Sequence, residues 1–190
     1  MKNYGWIIEY DDFVDDTPFG MKNFSNIIAT LPIGKTYKNI NKSDAEAFNV
    51  HHLNNRVVFA CHFDSKYFDD IEFIGAIDSA VPCAMMLEMA KYLQEILPNE
   101  PTIPNLERHL QFMFFDGEEA FKTWTKTDSL YGSRHYAKIL NENFTKKAFD
   151  TMDLFVLFDL IGGQESKFLN YYAQTSHVYN LMSKIGELSE

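Results

Sequence analysis

The sequence predicts an α/β fold in three layers, with helices on both faces of a central sheet. Three short apolar segments have the composition of buried strands, and the stretches between them show helical periodicity. Strands that alternate with helices tend to pair in parallel, so the sheet is expected to be mixed and mostly parallel. The three strand segments are NRVVFACHFDS (55–65), HLQFMFF (109–115) and DLFVLFDLIGG (153–163).

The first part of the chain predicts two more strands, at 5–14 and 24–31. The turn residues DDTPFG lie between them and favour an antiparallel pair. The polar stretch 34–48 is expected to loop over the surface.

Three helices are predicted. The first covers 79–97, where apolar residues recur at helical spacing, and either Asp78 or Ser79 is its expected N-cap. Prolines break the chain within 98–105. The other two predicted helices cover 129–140 and 177–188.

Composition limits the class of protein. The chain has 190 residues, which suits a single domain over 1–190 with a sizeable core. Its 17 basic and 27 acidic residues give a formal net charge of -10, which argues against a nucleic-acid partner. No apolar run approaches the roughly 18 residues that span a bilayer. The first residues turn acidic early, so no signal peptide is predicted in this chain.

Acidic side chains follow the predicted buried strands. His62 and Asp64 end one strand, Glu118 and Glu119 follow the next, and Asp159 ends the third. Because the carboxyl ends of parallel strands meet at one edge of a sheet, these groups are expected to converge there. With Asp78 from the loop before the first helix, they suit a zinc-type centre of hard ligands.

Most of these residues also have a structural interpretation, and Asp159 could merely cap or bridge. Glu118 and Glu119 suit the acidic start of a helix, where the macrodipole favours negative charge. Asp78 suits a plain N-cap, and His62 suits an ordinary buried histidine. Cys61 and Cys83 allow one disulfide without requiring it.

The motifs resemble those of animal glutaminyl cyclases, the glutaminyl-peptide cyclotransferases, which are single-zinc relatives of the M28 zinc aminopeptidases. The likeness extends over most of the chain and implies the three-layer fold of that group. It is carried by ACHFDSKYF (60–68), IGAIDSAVPCAMMLEMAKYL (74–93), FMFFDGEEAFKTWTKTDSLYGSRHYA (112–137) and DLFVLFDLIGG (153–163).

The resemblance implies a role for each site residue. Asp78 and Glu119 would bind one zinc ion per site, and Glu118 would act as general acid and base. Asp159 would polarise the reacting groups, and Trp124 would line the pocket. The family's disulfide maps onto Cys61 and Cys83. The implied substrates are peptides or proteins with an N-terminal glutamine, in the secretory pathway or outside the cell.

The chain departs from the family pattern at the third zinc ligand. In the family this ligand is a histidine near the C-terminus, and none of the six histidines here matches its motif. The resemblance therefore predicts a chain truncated at both ends, with a fold incomplete at the C-terminus. Two alternatives stay open. One is a two-zinc M28-type aminopeptidase with His62 as a ligand, Asp78 bridging and Asp159 on the second metal. The other is a non-enzymatic protein that binds such peptides.

Overall fold

A five-stranded mixed sheet forms the centre of the molecule. The computed structural model describes residues 1, 5–33, 55–97, 108–142 and 148–187. The strands are β1 (Ile7–Thr17), β2 (Gly20–Leu31), β3 (Arg56–His62), β4 (His109–Phe115) and β5 (Met152–Leu157). The helices are α1 (Val81–Ile96), α2 (Tyr131–Glu142) and α3 (Ser176–Glu187).

The sheet has the strand order β1-β2-β4-β3-β5. β2 pairs antiparallel with both β1 and β4, whereas β3 pairs in parallel with both β4 and β5. Only β2 therefore runs against the other four strands. The predicted mixed, mostly parallel sheet is confirmed.

Side chains of β4 alternate between two apolar clusters, one on each face of the sheet. Phe112 and Phe114 belong to the cluster that contains Met86 of α1. Met113 belongs to the cluster that contains Leu140 of α2. Burying each such side chain contributes about 1.5–3 kcal/mol, so both helices are held to the sheet by apolar packing. This arrangement confirms the predicted three layers.

The hairpin at the start of the chain is antiparallel, as predicted, and its strands are longer than the patterns indicated. The register extends from Ile7 opposite Thr30 to Thr17 opposite Gly20. At the turn, the Thr17 hydroxyl donates to the Gly20 carbonyl at 2.7 Å. Gly20 has a φ of +82°, a conformation that glycine adopts without steric cost. The turn therefore allows the two strands to stay paired as far as Thr17 and Gly20.

The predicted N-cap of the first helix is wrong. Helix α1 begins at Val81 with Ala80 as N-cap. The side chains of Asp78 and Ser79 instead contact His62 and Asp159. The alternative interpretation of Glu118 and Glu119 as a helix start is not supported, because α2 begins only at Tyr131. The predicted loop at 34–48 and the proline segment at 98–105 lie outside the described residues.

The parallel strands bring their carboxyl ends to one edge of the sheet. His62, the last residue of β3, pairs with Phe115, the last residue of β4. Beyond β5, the Phe158 amide donates to the Ala60 carbonyl of β3 at 2.8 Å. Side chains that follow these three strands are therefore neighbours. Among the described helices, none has the length and apolar character needed to cross a membrane.

Candidate active site

His62 lies at the centre of the site, buried at 3% exposure. Its Nε2 is 2.9 Å from Asp78 Oδ1 and 3.5 Å from Asp159 Oδ1, and its Nδ1 is 3.4 Å from Asp64 Oδ1. Burial alone lowers the pKa of His62, but the hydrogen bonds of Asp159 and Asp64 raise that pKa to about 11. One imidazole thus joins carboxylates from three different parts of the chain.

Asp78 and Ser79 reach the site because their backbone is not helical. Asp78 has φ -133° and ψ 72°, and Ser79 has φ -132° and ψ 45°. The Ser79 hydroxyl donates to Asp159 Oδ1 at 2.9 Å. Hydrogen bonds from His62 and Ser79 hold the pKa of Asp159 below its usual range. The two residues predicted as caps therefore direct their side chains to His62 and Asp159 of the site instead.

Asp64 fixes the backbone that carries both glutamates. Its Oδ1 accepts from the Glu118 amide and its Oδ2 accepts from the Glu119 amide, each at 3.0 Å. Burial raises the pKa of Asp64, but hydrogen bonds from His62 and these two amides outweigh it and lower that pKa. The Asp64 carboxylate thus links the end of β3 to the segment that follows β4.

Glu118 and Glu119 are held in an environment that favours protonation. Burial raises the pKa of Glu118 to about 7; the charges of Glu119 and Asp159 add to this, and His62 opposes it. Burial also raises the pKa of Glu119. Carboxylates crowded in this way are stabilised by a cation, which makes the cluster a candidate metal centre.

Lys66 supplies a positive charge beside Glu119. Its Nζ lies 4.0 Å from Glu119 Oε2 and also donates to the Ala120 carbonyl. This contact lowers the pKa of Glu119, while the charge of Asp78 raises it. Lys66 therefore offsets part of the charge of the cluster and holds the segment after Glu119.

A cleft of about 570 Å³ opens beside these groups. His62, Glu118 and Asp159 line it together, and most of the remaining lining is apolar. An apolar cleft with a few convergent polar groups is the usual form of a small-ligand site. The apolar lining comes from β4, α2, β5 and the residue before α2, and it includes Met113, Phe115, Leu130, Leu140 and Leu154.

The donor atoms present suit a divalent metal ion. His62, Asp78 and Asp159 each offer a ligand atom, and these atoms all lie within 4.8 Å of one another. One imidazole nitrogen with carboxylate oxygens is a donor set that zinc accepts. In the described part of the chain this group does not include Glu119. The pairing of Asp78 with Glu119 as zinc ligands stays a prediction.

Trp124 and the two cysteines also stay predictions. Trp124 lies in the loop between β4 and α2, is 56% exposed and is not among the residues that line the cleft. Cys61 and Cys83 are free thiols here, with their sulfur atoms 3.0 Å apart. The predicted pair is therefore adjacent at the end of β3 and the start of α1, without a bond between the sulfurs.

Sequence reasoning missed several contributions to the site. Ser79 was expected only as a cap, and Lys66 was given no role. Asp64 was noted as a strand-end group without a function, although its position two residues after His62 places it at the same sheet edge. The partners of these residues are distant in sequence, so no local pattern predicts them.

Fold and site together define an α/β protein that gathers a histidine and several carboxylates at the carboxyl ends of its strands, an arrangement suited to metal-dependent chemistry. Residues 43–186 match the family model described as Peptidase family M28. The chain belongs to peptidase family M28.

Individual relatives are named glutaminyl-peptide cyclotransferases. The chain is 43% identical over 194 residues to the Bos taurus protein of that name, covering 95% of the chain and 48% of the relative. It is 38% identical to the Dictyostelium discoideum protein, covering 95% of the chain and 52% of the relative. The crystal structure of Macrostomum lignano glutaminyl cyclase superposes with a TM-score of 0.69 at 35% identity, covering 94% of the chain and 49% of that structure. The resemblance seen in the motifs is confirmed, and the chain spans about half the length of these relatives.

Proposed function

We propose that this chain carries the catalytic face of a zinc-dependent glutaminyl-peptide cyclotransferase. Such an enzyme closes an N-terminal glutamine into pyroglutamate and releases ammonia. The observation that most supports the proposal is that Glu118 and Asp159 line one cleft beside the donor group that contains Asp78. The names of the relatives support the same reaction.

The proposed reaction needs a group that moves one proton twice. The α-amine nitrogen of the substrate attacks its own γ-carboxamide carbon, so a C–N bond forms and the bond to the amide nitrogen breaks. Glu118 takes a proton from the attacking amine and gives it to the departing ammonia. Asp159 accepts a hydrogen bond from the amide nitrogen as that nitrogen becomes the leaving group.

Asp78 and Glu119 are the proposed ligands of one zinc ion. His62 lies 2.9 Å from Asp78 and would orient that carboxylate toward the metal. Burial and the charge of Asp78 raise the pKa of Glu119, as expected for two carboxylates placed close enough to share a cation. When bound, zinc supplies Lewis-acid polarisation of the γ-carbonyl.

The substrate is proposed to be a peptide or protein that begins with glutamine. The apolar cleft would hold the glutamine side chain curled, which is the main requirement of an intramolecular ring closure. Trp124 would contact the peptide from the exposed loop. The same kinship supports a location in the secretory pathway or outside the cell, where a Cys61–Cys83 disulfide is compatible with the redox conditions.

An ammonia-release assay tests the proposal. The zinc-loaded chain is incubated with a peptide that begins with glutamine, and ammonia is measured with a coupled enzyme. We expect Glu118→Gln to lower the rate by at least about 10²-fold, because the proton carrier is lost. Glu88→Gln, on the exposed face of α1, is the matched control and should keep the wild-type rate. Equal rates for Glu118→Gln and wild type would contradict the role of Glu118.

A two-zinc aminopeptidase is the second candidate, because His62, Asp78 and Asp159 converge in the way that function needs. The number of zinc ions per chain separates the two. Mass spectrometry of the metal-loaded chain under native conditions should count one ion for the cyclotransferase. A count of two, together with release of an N-terminal amino acid, would favour the aminopeptidase.

A further inference from the structure

The loop between β4 and α2 carries Glu118, Glu119 and Trp124 and is closed at its base by three backbone hydrogen bonds. The Leu130 amide donates to the Glu118 carbonyl at 2.8 Å. The next two amides, of Tyr131 and Gly132, donate to the carbonyls of Gly117 and Asp116 at 2.8 and 3.0 Å. The start of α2 is thereby fixed against the end of β4.

Asp128 occupies the interior of this loop at 5% exposure. Its Oδ1 accepts from the Phe121 amide at 2.8 Å, and its Oδ2 accepts from the Lys122 and Thr123 amides at 2.9 Å each. The Tyr131 hydroxyl also donates to Oδ1 at 2.8 Å. One carboxylate thus accepts four hydrogen bonds, which is close to its full capacity.

The three backbone amides that donate hydrogen bonds to Asp128 belong to the segment between Ala120 and Trp124. Fixing this segment determines how the chain leaves Glu119 and in which direction it presents Trp124. The fourth donor connects the loop to the sheet, because Tyr131 is fully buried and stacks on Phe24 of β2 with ring centroids 4.9 Å apart.

We propose that Asp128 is a positioning residue of the site, which holds the loop so that Trp124 faces the incoming peptide. This role rests on the proposed function, because it assigns the peptide to Trp124. Asp128 itself is not a catalytic residue, because it contacts only the backbone of its own loop and the Tyr131 hydroxyl.

A carboxylate suits this position better than an amide. Asparagine has the same shape but one acceptor oxygen, and its NH₂ group would face an amide donor of the loop. At least one buried N–H group then loses its partner, which releases the segment before Trp124. Asp128→Glu keeps the charge, and we expect it to restore part of the wild-type behaviour.

The two tryptophans of the chain allow a test that does not depend on activity. Both are labelled with 5-fluorotryptophan in the full chain, and ¹⁹F spectra of wild type and Asp128→Asn are compared. Trp6 is 3% exposed in the core and serves as the internal reference, whereas Trp124 is 56% exposed on the loop. We expect Asp128→Asn to shift or broaden only the Trp124 resonance. Asp16→Asn, on the exposed hairpin, is the matched control and should change neither resonance.

Kinetics with a glutamine-initiated peptide supply the second readout. We expect Asp128→Asn to raise KM more than it lowers kcat, because the main effect is that Trp124 no longer faces the peptide. The ratio kcat/KM should fall by up to about 10²-fold. An unchanged Trp124 resonance, or equal changes in both resonances, would overturn the positioning role. A wild-type chain that releases no ammonia would contradict the proposed function instead, and the ¹⁹F comparison would still decide whether Asp128 holds Trp124.

Discussion

At the scale of single residues, Asp64 organises the site more than any other group that does not face the cleft. It accepts the backbone amides of both Glu118 and Glu119 and lies 3.4 Å from His62. The relative position of the proposed general acid, Glu118, and the proposed zinc ligand, Glu119, therefore depends on one carboxylate. Groups of this kind often affect metal affinity almost as strongly as the ligands do.

Asp64→Asn should lower zinc affinity by about 10- to 100-fold while leaving the chain folded. The asparagine side chain keeps one acceptor oxygen but turns its NH₂ group toward a backbone N–H. One of the two glutamates therefore loses the hydrogen bond that fixes its backbone amide. A competition titration with a chromophoric chelator measures the affinity. Asp69→Asn, in the exposed part of the same loop, is the control. Wild-type affinity in Asp64→Asn would show that the glutamates are positioned by other contacts.

Asp128 should make the stability of the chain sensitive to acid. Burial raises the pKa of Asp128, but hydrogen bonds from the Thr123, Lys122 and Phe121 amides outweigh it and lower that pKa to about 2. The unfolded value is about 3.9. Because the folded-state pKa is the lower one, the stabilisation is present above about pH 4 and is lost as the pH falls toward 2. Urea unfolding of wild type and Asp128→Asn should give free energies of unfolding whose difference shrinks as the pH falls over this interval. A difference that is constant with pH would contradict the assignment.

Sequence reasoning named several residues that meet at the site. Its errors concern side chains whose partners are brought together only by the tertiary structure. Strand-end placement identified His62, Glu118 and Asp159, because the carboxyl ends of parallel strands must be neighbours. Ser79 was misassigned as a cap, because its partner, Asp159, lies 80 residues further along the chain. The role of Asp128 depends on a loop whose base is fixed by hydrogen bonds between the start of α2 and the end of β4, a contact that local sequence does not indicate.

At the scale of elements, the start of α2 approaches the end of β4 so closely that only glycine is accommodated at Gly132. A Cβ atom there would lie 2.2 Å from Asn26 Oδ1 and 2.4 Å from the Asp116 carbonyl oxygen. Asn26 also donates to the Gly132 carbonyl at 3.0 Å. This contact sets the base of the loop that carries Glu118 and Glu119.

Gly132→Ala should therefore lower the free energy of unfolding by about 1–3 kcal/mol, although alanine favours helices. Gly186→Ala in α3 is the matched control, because a Cβ there has no atom within 4 Å. That change should be neutral or should stabilise the chain by up to about 1 kcal/mol. Urea unfolding of both variants measures the difference. The same effect from both substitutions would contradict the close approach at Gly132.

The elements themselves were predictable where burial is strongest. Strand β4 covers His109–Phe115 as predicted, because a mostly apolar run of this length is typical of a strand that is buried on both faces. The helix boundaries were less accurate, and α2 begins at Tyr131 rather than at 129. The start of α2 depends on the contact between Gly132 and Asp116. The helical periodicity of the sequence does not indicate this contact.

At the scale of the whole molecule, strand order assembles the site. β4 inserts between β2 and β3, so that His62 and Phe115 pair at the sheet edge. The sequence patterns predicted the strands and their layers but not this order, because the β2–β4 pairing joins residues that are 79 to 87 positions apart. The converging acids belong to a chain with a net charge of -10, so a bound cation should stabilise the fold.

Zinc should raise the melting temperature of the chain. Free zinc at about a hundredfold above Kd adds about 2.7 kcal/mol, if the ion binds the folded state alone. For a chain of this size that corresponds to several degrees in differential scanning fluorimetry. Asp78→Asn should remove most of the shift, whereas Glu88→Gln, on the exposed face of α1, should retain it. An equal shift in Asp78→Asn would place the metal elsewhere.

Mass spectrometry of the reaction products tests the central claim most directly. A peptide that begins with glutamine is incubated with the zinc-loaded chain and analysed without separation. The account predicts a product of unchanged residue count that has lost one ammonia. A peptide shortened by its N-terminal glutamine, with the free amino acid in solution, would contradict cyclisation and indicate hydrolysis.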